Sequence, residues 1–242
     1  IGKSLCEQLY ARGYSIVVVD IDIVKGNAVA NALNGEFVKA DLTDERDVQR
    51  VVLFMQKKID QISLVVNNAG IGKRGYTEEI PVDELTAILT INCEVPVKFI
   101  NTVLPPFIKR GFGTIINIGS SAGYQPLPYM SVYAASKAFI IRYSLALQGE
   151  LQGRRIPKSV KVILASPSGT ATDFQKVSGV KNDDAAKLLH PYDVAAEIIR
   201  HIEKGSTNII IGSSGKGMAF VARLLPTQIQ IYLWERLMRA MR

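Results

Sequence analysis

The sequence predicts an α/β fold in which a doubly wound parallel sheet carries helices on both faces. Short runs rich in β-branched residues alternate along the chain with amphipathic stretches of helical period. This alternation is typical of βαβ crossovers, which place consecutive strands parallel in one sheet. With 242 residues, 48% of them hydrophobic, the chain is long enough to bury the core of a single domain of this kind.

Six strands and six helices are predicted, beginning with a helix and alternating thereafter. The strands fall at 15–19, 36–39, 62–66, 114–118, 160–164 and 208–211, and the helices at 2–12, 24–33, 44–58, 82–110, 131–152 and 191–204. Thr43, which precedes two acidic residues, is the predicted N-cap of the third helix. Pro191 is expected to begin the last helix, and Gly205 to end it.

Charge and cysteine content exclude several classes of function. The net charge is +7, but Lys and Arg are scattered and form no basic stripe with interleaved aromatics, so nucleic-acid binding is not expected. Cys6 and Cys93 lie far apart, as is typical of a reducing compartment. No apolar run reaches the roughly 18 residues of a membrane span and no signal peptide is visible, which predicts a cytoplasmic protein. His190 and His201 are expected as surface or capping groups, so no metal site is predicted.

The first residues have the pattern of the second half of a dinucleotide-binding βαβ unit. Ile1 and Gly2 lead directly into a helix, and Asp20 ends the strand that follows, 18 residues after the glycine. An acidic group at this place can accept hydrogen bonds from ribose hydroxyls. We therefore expect a further strand and the leading glycines, roughly a dozen residues or more, before Ile1 and in the middle of the sheet.

Tyr133 and Lys137 form the most informative pair in the chain. Four residues apart on a predicted helix, they share one face, and an ammonium beside a phenol is expected to lower the pKa of that phenol. Ser120 lies where a β-rich run stops at small residues, so its hydroxyl can hold a carbonyl oxygen. By itself such a pair matches an exposed helix face more often than a site, and its context decides between the two interpretations.

Ordered motifs along essentially the whole chain resemble those of the classical short-chain dehydrogenase/reductase family. Ile1 and Gly2 resemble the tail of the family's glycine-rich loop. The other matches are Asn67-Asn68-Ala69-Gly70 after a strand and the tetrad Asn92, Ser120, Tyr133 and Lys137. One motif departs from the family pattern, because Pro167-Ser168-Gly169 stands where the family has Pro-Gly. The resemblance implies a single Rossmann-type domain.

The resemblance also implies catalytic roles for the tetrad. Tyr133 would be the general acid in reduction and the base in oxidation, while Lys137 would lower its pKa and hold the nicotinamide ribose. Ser120 would orient the substrate oxygen. Asn92 would position a water that connects Lys137 to solvent.

The cofactor implied is NAD, with NADP left open because the leading glycine loop could carry a basic residue. Asp20 and Asp22 would repel a 2′-phosphate. For Asp41 and Thr170 a turn or cap role is an equally open interpretation. The expected cofactor-binding residues are Ile1, Gly2, Asp20, Asp41, Leu42, Asn68, Ala69, Gly70, Tyr133, Lys137, Pro167, Thr170 and Thr172.

The expected activity is hydride transfer between the nicotinamide cofactor and an apolar secondary alcohol or ketone. One alternative is a catalytically silent dinucleotide-binding regulator, which would have no need of the tetrad. Another is a nucleotide-sugar epimerase or dehydratase, whose relatives usually carry a separate substrate domain. The loop at 174–189 is expected to cover the substrate, but its residues give no indication of substrate chemistry.

Residues 1–215 form the predicted catalytic domain, and residues 216–242 form a helical appendage with apolar residues on both sides of Pro226. In one interpretation the appendage packs over the substrate pocket or against a second subunit of a homodimer or homotetramer. In the other, it contacts a membrane peripherally, with its arginines at anionic headgroups and Trp234 and Leu237 in the acyl boundary.

Overall fold

A computed structural model describes residues 1–179 and 188–240. Within these ranges all six predicted strands are present, and one or two helices separate each strand from the next. The strands are β1 (Val17–Asp20), β2 (Glu36–Lys39), β3 (Leu64–Asn67), β4 (Gly113–Ile118), β5 (Val160–Pro167) and β6 (Asn208–Ile211). The helices are α1 (Gly2–Tyr10), α2 (Ile23–Ala32), α3 (Glu45–Lys57), α4 (Val82–Leu89), α5 (Val95–Arg110), α6 (Ser131–Gly153), α7 (Phe174–Ser178), α8 (Pro191–Glu203), α9 (Ser213–Leu224) and α10 (Thr227–Ala240).

All the strand pairs are parallel. β1 pairs with β2, and β3, β4, β5 and β6 form a four-stranded sheet in that order. In the larger sheet Asn67 lies opposite Asn117, and Ile118 opposite Ala165, so the carboxyl ends of its central strands meet at one edge. This parallel sheet flanked by helices confirms the predicted fold class.

Each face of the larger sheet buries its own core. On β4, Ile115 packs in one cluster with residues of α3, α5 and α6, whereas its neighbour Ile116 packs in another with residues of α1 and α8. Successive side chains of a strand point to opposite faces, so these continuous apolar runs fit strands that are covered on both sides. The double layer of helices follows directly from that pattern.

The predicted helix at 82–110 contains an irregular turn. α4 and α5 are joined by a π-helical turn, Thr90–Glu94, which places Asn92 in the interior. By length and composition alone Val82–Arg110 could cross a membrane. Val103 and Phe107, however, are completely buried, and their cluster includes residues of the sheet, as in the core helix of a globular domain.

Two predicted helix boundaries had different outcomes. The assignment of Thr43 as an N-cap is wrong, because Asp44 caps α3 by accepting a hydrogen bond from the Arg46 amide. Thr43 instead donates its hydroxyl to Asp41. The end of α8 is confirmed, since Gly205 takes up a left-handed conformation with φ of 80°.

A cleft of about 2180 Å³ opens at the carboxyl ends of the strands and extends between β1 and β3. These two strands are not paired with each other in the described ranges. The additional central strand expected from the sequence stays a prediction.

The C-terminal helices α9 and α10 form a hairpin beside this cleft. Gln230 of α10 donates to the carbonyls of Ala222 and Leu225 at distances of 3.1 and 2.8 Å, which fixes the turn between the helices. Trp234 and Met238 of α10 pack in a cluster that includes Tyr133. The division of the chain at residue 215 stays a prediction.

Candidate active site

Ser120 lies just beyond the end of β4, where the chain turns into a short 3₁₀ helix, Ser121–Tyr124. Its side-chain oxygen caps that helix by accepting from the Ala122 amide at 3.2 Å. The cap fixes the hydroxyl at the mouth of the cleft, because a strand end and a helix start determine its position together.

Tyr133 lies in the first turn of α6, and its phenol is close enough to Ser120 for the Ser120 hydroxyl to influence its pKa. Burial raises the pKa of the Tyr133 phenol, and the Ser120 hydroxyl lowers it by a smaller amount. The phenol is therefore protonated at neutral pH and is placed to give a proton to a group held by Ser120.

Lys137 follows one helical turn later and is only 6% exposed. Its ammonium donates to the Ile118 carbonyl at 3.0 Å and lies 6.0 Å from the centroid of the Tyr133 ring. Burial lowers the pKa of Lys137 to about 8. Desolvation of the phenol dominates the pKa shift at Tyr133, and the expected lowering of this pKa by Lys137 stays a prediction.

Asn92 occupies the π-helical turn and is 2% exposed. Its amide donates to the Ile71 carbonyl and to the Ser136 hydroxyl, both at 2.9 Å, and its oxygen accepts from the Ile71 amide at 3.0 Å. Ser136 in turn donates to the Tyr133 carbonyl at 2.7 Å. Asn92 therefore connects the loop after β3 to the turn of α6 that carries Tyr133.

Two glycines allow the backbone to approach these groups closely. A Cβ at Gly70 would lie 3.2 Å from both the Asn92 oxygen and the Lys137 nitrogen. A Cβ at Gly2 would lie 2.6 Å from the side-chain nitrogen Nδ2 of Asn68. Bare backbone beside a buried ammonium, with the exposed carboxylate of Asp20 on the same cleft, fits a dinucleotide.

The structure brings the predicted residues together in one place. All of them except the buried Asn92 line the cleft: Ile1, Gly2, Asp20, Asp41, Leu42, Asn68, Ala69, Gly70, Ser120, Tyr133, Lys137, Pro167, Thr170 and Thr172. Internal hydrogen bonds show a turn role for two of these residues. Asp41 accepts from the Thr43 amide and hydroxyl, and the Thr170 hydroxyl donates to the Ser168 carbonyl.

Residues 1–183 match the family described as short chain dehydrogenase. The chain belongs to the short chain dehydrogenase family. Within this family it is similar to the ketoacyl reductase HetN of Nostoc sp., with 30% identity over 80% of this chain and 69% of the relative. A very-long-chain 3-oxoacyl-CoA reductase of Neurospora crassa is 31% identical over 64% of this chain and 50% of that protein.

A solved short-chain dehydrogenase from Sphingobium yanoikuyae, in complex with NADPH, has the same fold. The TM-score is 0.82 at 24% identity, and the match covers 92% of this chain and 88% of the other. This likeness confirms that our chain has the single-domain fold of a short-chain dehydrogenase.

An apolar wall lies against Tyr133, and it includes Phe174 from the loop that was predicted to cover the substrate. The Phe174 ring lies 5.1 Å from the Tyr133 ring, and a Cβ at Gly72 would lie 2.8 Å from both. Trp234 and Met238 belong to the same cluster. These residues are distant in sequence and follow no motif. Part of the loop predicted at 174–189 lies outside the described residues.

Two hydrogen bonds hold α10 against the loops around the cleft. Arg74 donates to the Met238 carbonyl at 2.7 Å, and Tyr129 donates to Glu235 at 2.9 Å. Glu235 also accepts from Arg239, and these partners hold the pKa of Glu235 below its usual value. The inner face of α10 is thereby fixed over the cleft, as one of the two sequence interpretations expected.

Lys25 forms an ion pair beside the cleft that no sequence pattern indicated. Its ammonium lies 3.1 Å from Asp173 and 3.8 Å from Asp22, and both Lys25 and Asp173 line the cleft. The pair joins the start of α2, beside Asp20, to the segment after β5. The Asp173 hydrogen bond raises the pKa of Lys25. The partners are 148 positions apart in the sequence, so no local signal could have revealed this contact.

Proposed function

We propose that this protein is an NAD(H)-dependent oxidoreductase that transfers a hydride between nicotinamide and an apolar secondary alcohol or ketone. The observation that carries the proposal is the convergence of Ser120, Tyr133 and Lys137 at a cleft whose adjoining wall has Asp20 at a strand end. Membership of the short chain dehydrogenase family supports the same reaction class.

The residues of the chain divide the remaining work. The bound nicotinamide would supply or accept the hydride. Tyr133 would give its phenolic proton to a ketone oxygen, or take a proton from an alcohol, while Ser120 holds that oxygen by a hydrogen bond. The raised pKa of Tyr133 keeps the proton available for reduction at neutral pH. Lys137 would hold the nicotinamide ribose and provide positive charge beside the phenol.

Cofactor choice rests on the charges beside β1. The exposed carboxylate of Asp20 accepts from the Asp22 amide at 2.9 Å, and both carboxylates would repel a 2′-phosphate. Lys25 opposes them with one positive charge, but it is held by Asp173. We therefore favour NADH over NADPH, although the Sphingobium protein was solved with NADPH.

The chemistry of the wall supports an apolar substrate. Phe174, Trp234 and Met238 face the same region as Tyr133. The names of the ketoacyl and very-long-chain 3-oxoacyl-CoA reductases indicate that relatives act on ketones of acyl chains. A ketone attached to an alkyl chain is the substrate class that fits both observations.

Assembly is a further part of the proposal. Leu89 and Phe139 are exposed large apolar residues at a shallow groove between α4 and α6, which is suitable for a second copy of the chain. We propose a homodimer formed through this face, and sedimentation of the purified protein tests it.

One assay separates this proposal from the alternatives. Purified protein is incubated with NADH and a panel of ketones of increasing alkyl length, and loss of the absorbance of the reduced nicotinamide is followed. The proposal expects turnover that improves with chain length. A protein that binds NADH without turning over any ketone or alcohol would be the silent regulator instead.

A further inference from the structure

The outward faces of the hairpin of α9 and α10 remain apolar even though its inner face covers the cleft. On α10, Ile229, Leu233 and Leu237 recur every four residues and are 45%, 48% and 49% exposed. On α9, Phe220 and Leu224 are 63% and 64% exposed. Large apolar side chains grouped in this way mark an interaction surface.

Basic residues border these apolar stripes. Lys216 and Arg223 lie on α9, and Arg236 and Arg239 lie on α10. Glu235 is the one acidic residue of the two helices as described, and it is already held by Tyr129 and Arg239. The surface is therefore cationic as well as apolar.

This charge decides between occupants. A second copy docked on the same face would place like charges against each other in a symmetric interface, which is unfavourable. An anionic lipid surface complements both properties, since arginines reach headgroups while leucine and isoleucine side chains enter the acyl boundary. Tyr232, whose hydroxyl accepts from Arg236 at 2.7 Å, is a residue type enriched at such interfaces.

The lengths of the helices fit a surface contact. α9 has 12 residues and α10 has 14, whereas a spanning helix needs about 20. Leu237 both belongs to the outer stripe and lines the cleft, and Met218 of α9 lines the cleft as well. The outer surface and the substrate end of the cleft therefore meet at Leu237.

We propose that the outward faces of α9 and α10 dock this protein on the surface of a membrane that contains anionic lipids, with the cleft opening beside Leu237 toward the acyl chains. The opening toward lipid rests on the proposed function, because it supplies an apolar ketone directly to Tyr133. Arg242, which sequence analysis placed among the headgroup-facing arginines, lies outside the described residues.

Co-sedimentation with vesicles tests the docking without cofactor or substrate, so its failure is distinguishable from failure of the proposed reaction. Full-length protein is mixed at low salt with vesicles of equal parts phosphatidylcholine and phosphatidylglycerol, and with vesicles of phosphatidylcholine alone. The proposal expects binding to the anionic vesicles that falls as salt is added. Absence of binding to them at low salt would overturn it.

Two matched variants locate the binding face. Leu233→Glu should weaken vesicle binding by at least about tenfold, because it removes an inserted apolar group and adds a repelled charge. Leu53→Glu adds the same charge at a 63% exposed leucine on α3 and should change binding less than about twofold. Thermal unfolding confirms that both variants are folded.

The same two variants distinguish membrane docking from a general charge effect and from a dimer interface. Equal losses in the two variants would show a general charge effect and contradict the proposal. A lipid-free dimer that Leu233→Glu converts to monomers would assign the face to a second subunit, and this outcome would also overturn membrane docking.

Discussion

The ammonium of Lys137 donates a hydrogen bond of 3.0 Å to the carbonyl of Ile118, the last residue of β4. This bond ties the second turn of α6 to the strand end that leads into Ser120. Tyr133, one turn earlier on the same helix, is thereby held within hydrogen-bond reach of Ser120. The same bond requires an ammonium in the protein interior, where charge is costly.

The buried ammonium predicts a stability that depends on pH. Lys137 keeps its proton to about pH 10.5 in the unfolded chain but loses it near pH 8 in the folded chain. Between these values the unfolded chain binds more protons than the folded chain. The free energy of unfolding should therefore increase as pH is raised from about 8 to 10.5, and this gain is lost as pH is lowered through 8. Urea unfolding of the wild type against Lys137→Met measures this slope.

Lys137→Met should also be more stable than the wild type at neutral pH, by about 1 to 3 kcal/mol, because it removes the desolvated charge. The variant should be inactive. Equal unfolding free energies for the two proteins from pH 7 to 10 would show that the ammonium is not electrostatically strained.

Gly72→Ala should impair catalysis without unfolding the protein. Its Cβ would lie 2.8 Å from the rings of Tyr133 and Phe174, so the packing of the two rings must change, and we expect the phenol to be displaced. A displaced catalytic group costs roughly tenfold to a hundredfold in kcat. Gly149→Ala is the matched control, since nothing lies within 4 Å of its Cβ position on α6. Similar steady-state kinetics for both variants would contradict the assigned geometry.

Cofactor preference should follow the charges beside β1. The wild type should have a higher kcat/KM with NADH than with NADPH, and Asp20→Ala should improve NADPH use by about tenfold. Lys25→Ala should lower kcat/KM for NADPH below the wild-type value, because the Lys25 ammonium offsets the charges of Asp20 and Asp22. It should change the kinetics with NADH little. A wild type that prefers NADPH would refute this account of the charges.

Trp234→Ala should affect the substrate more than the cofactor. Trp234 lines the cleft within the apolar cluster around Tyr133, so KM for a long-chain ketone should rise about fivefold to tenfold, with KM for NADH unchanged. Leu233→Ala, which alters the adjacent exposed residue, is the control. Equal effects of the two substitutions on KM would argue against α10 as a pocket wall.

Local patterns were sufficient to predict the fold class and a set of residues that line the cleft beside Tyr133. The strands β2 and β6 have the bounds that the sequence predicts, and the spacing of Tyr133 and Lys137 correctly placed both on α6 one turn apart. Asn68 and Gly70 were assigned to the cofactor site because they form part of a short contiguous motif, and this assignment stays a prediction.

Features that depend on distant contacts could not be predicted in this way. The π-helical turn at Asn92 is stabilised by bonds to Ile71 and Ser136, and the Lys25 to Asp173 pair joins two separate crossovers. The pKa of Tyr133 depends on burial by Phe174 and neighbouring groups, which no spacing reveals.

The most direct test of the proposed reaction is the kcat of Tyr133→Phe with NADH and the best long-chain ketone. The substitution keeps the ring against Phe174 and removes only the hydroxyl that would transfer the proton. We expect kcat to fall by about a hundredfold to ten-thousandfold with little change in NADH affinity. A variant that keeps most of the wild-type kcat would contradict the role of Tyr133 as the proton donor.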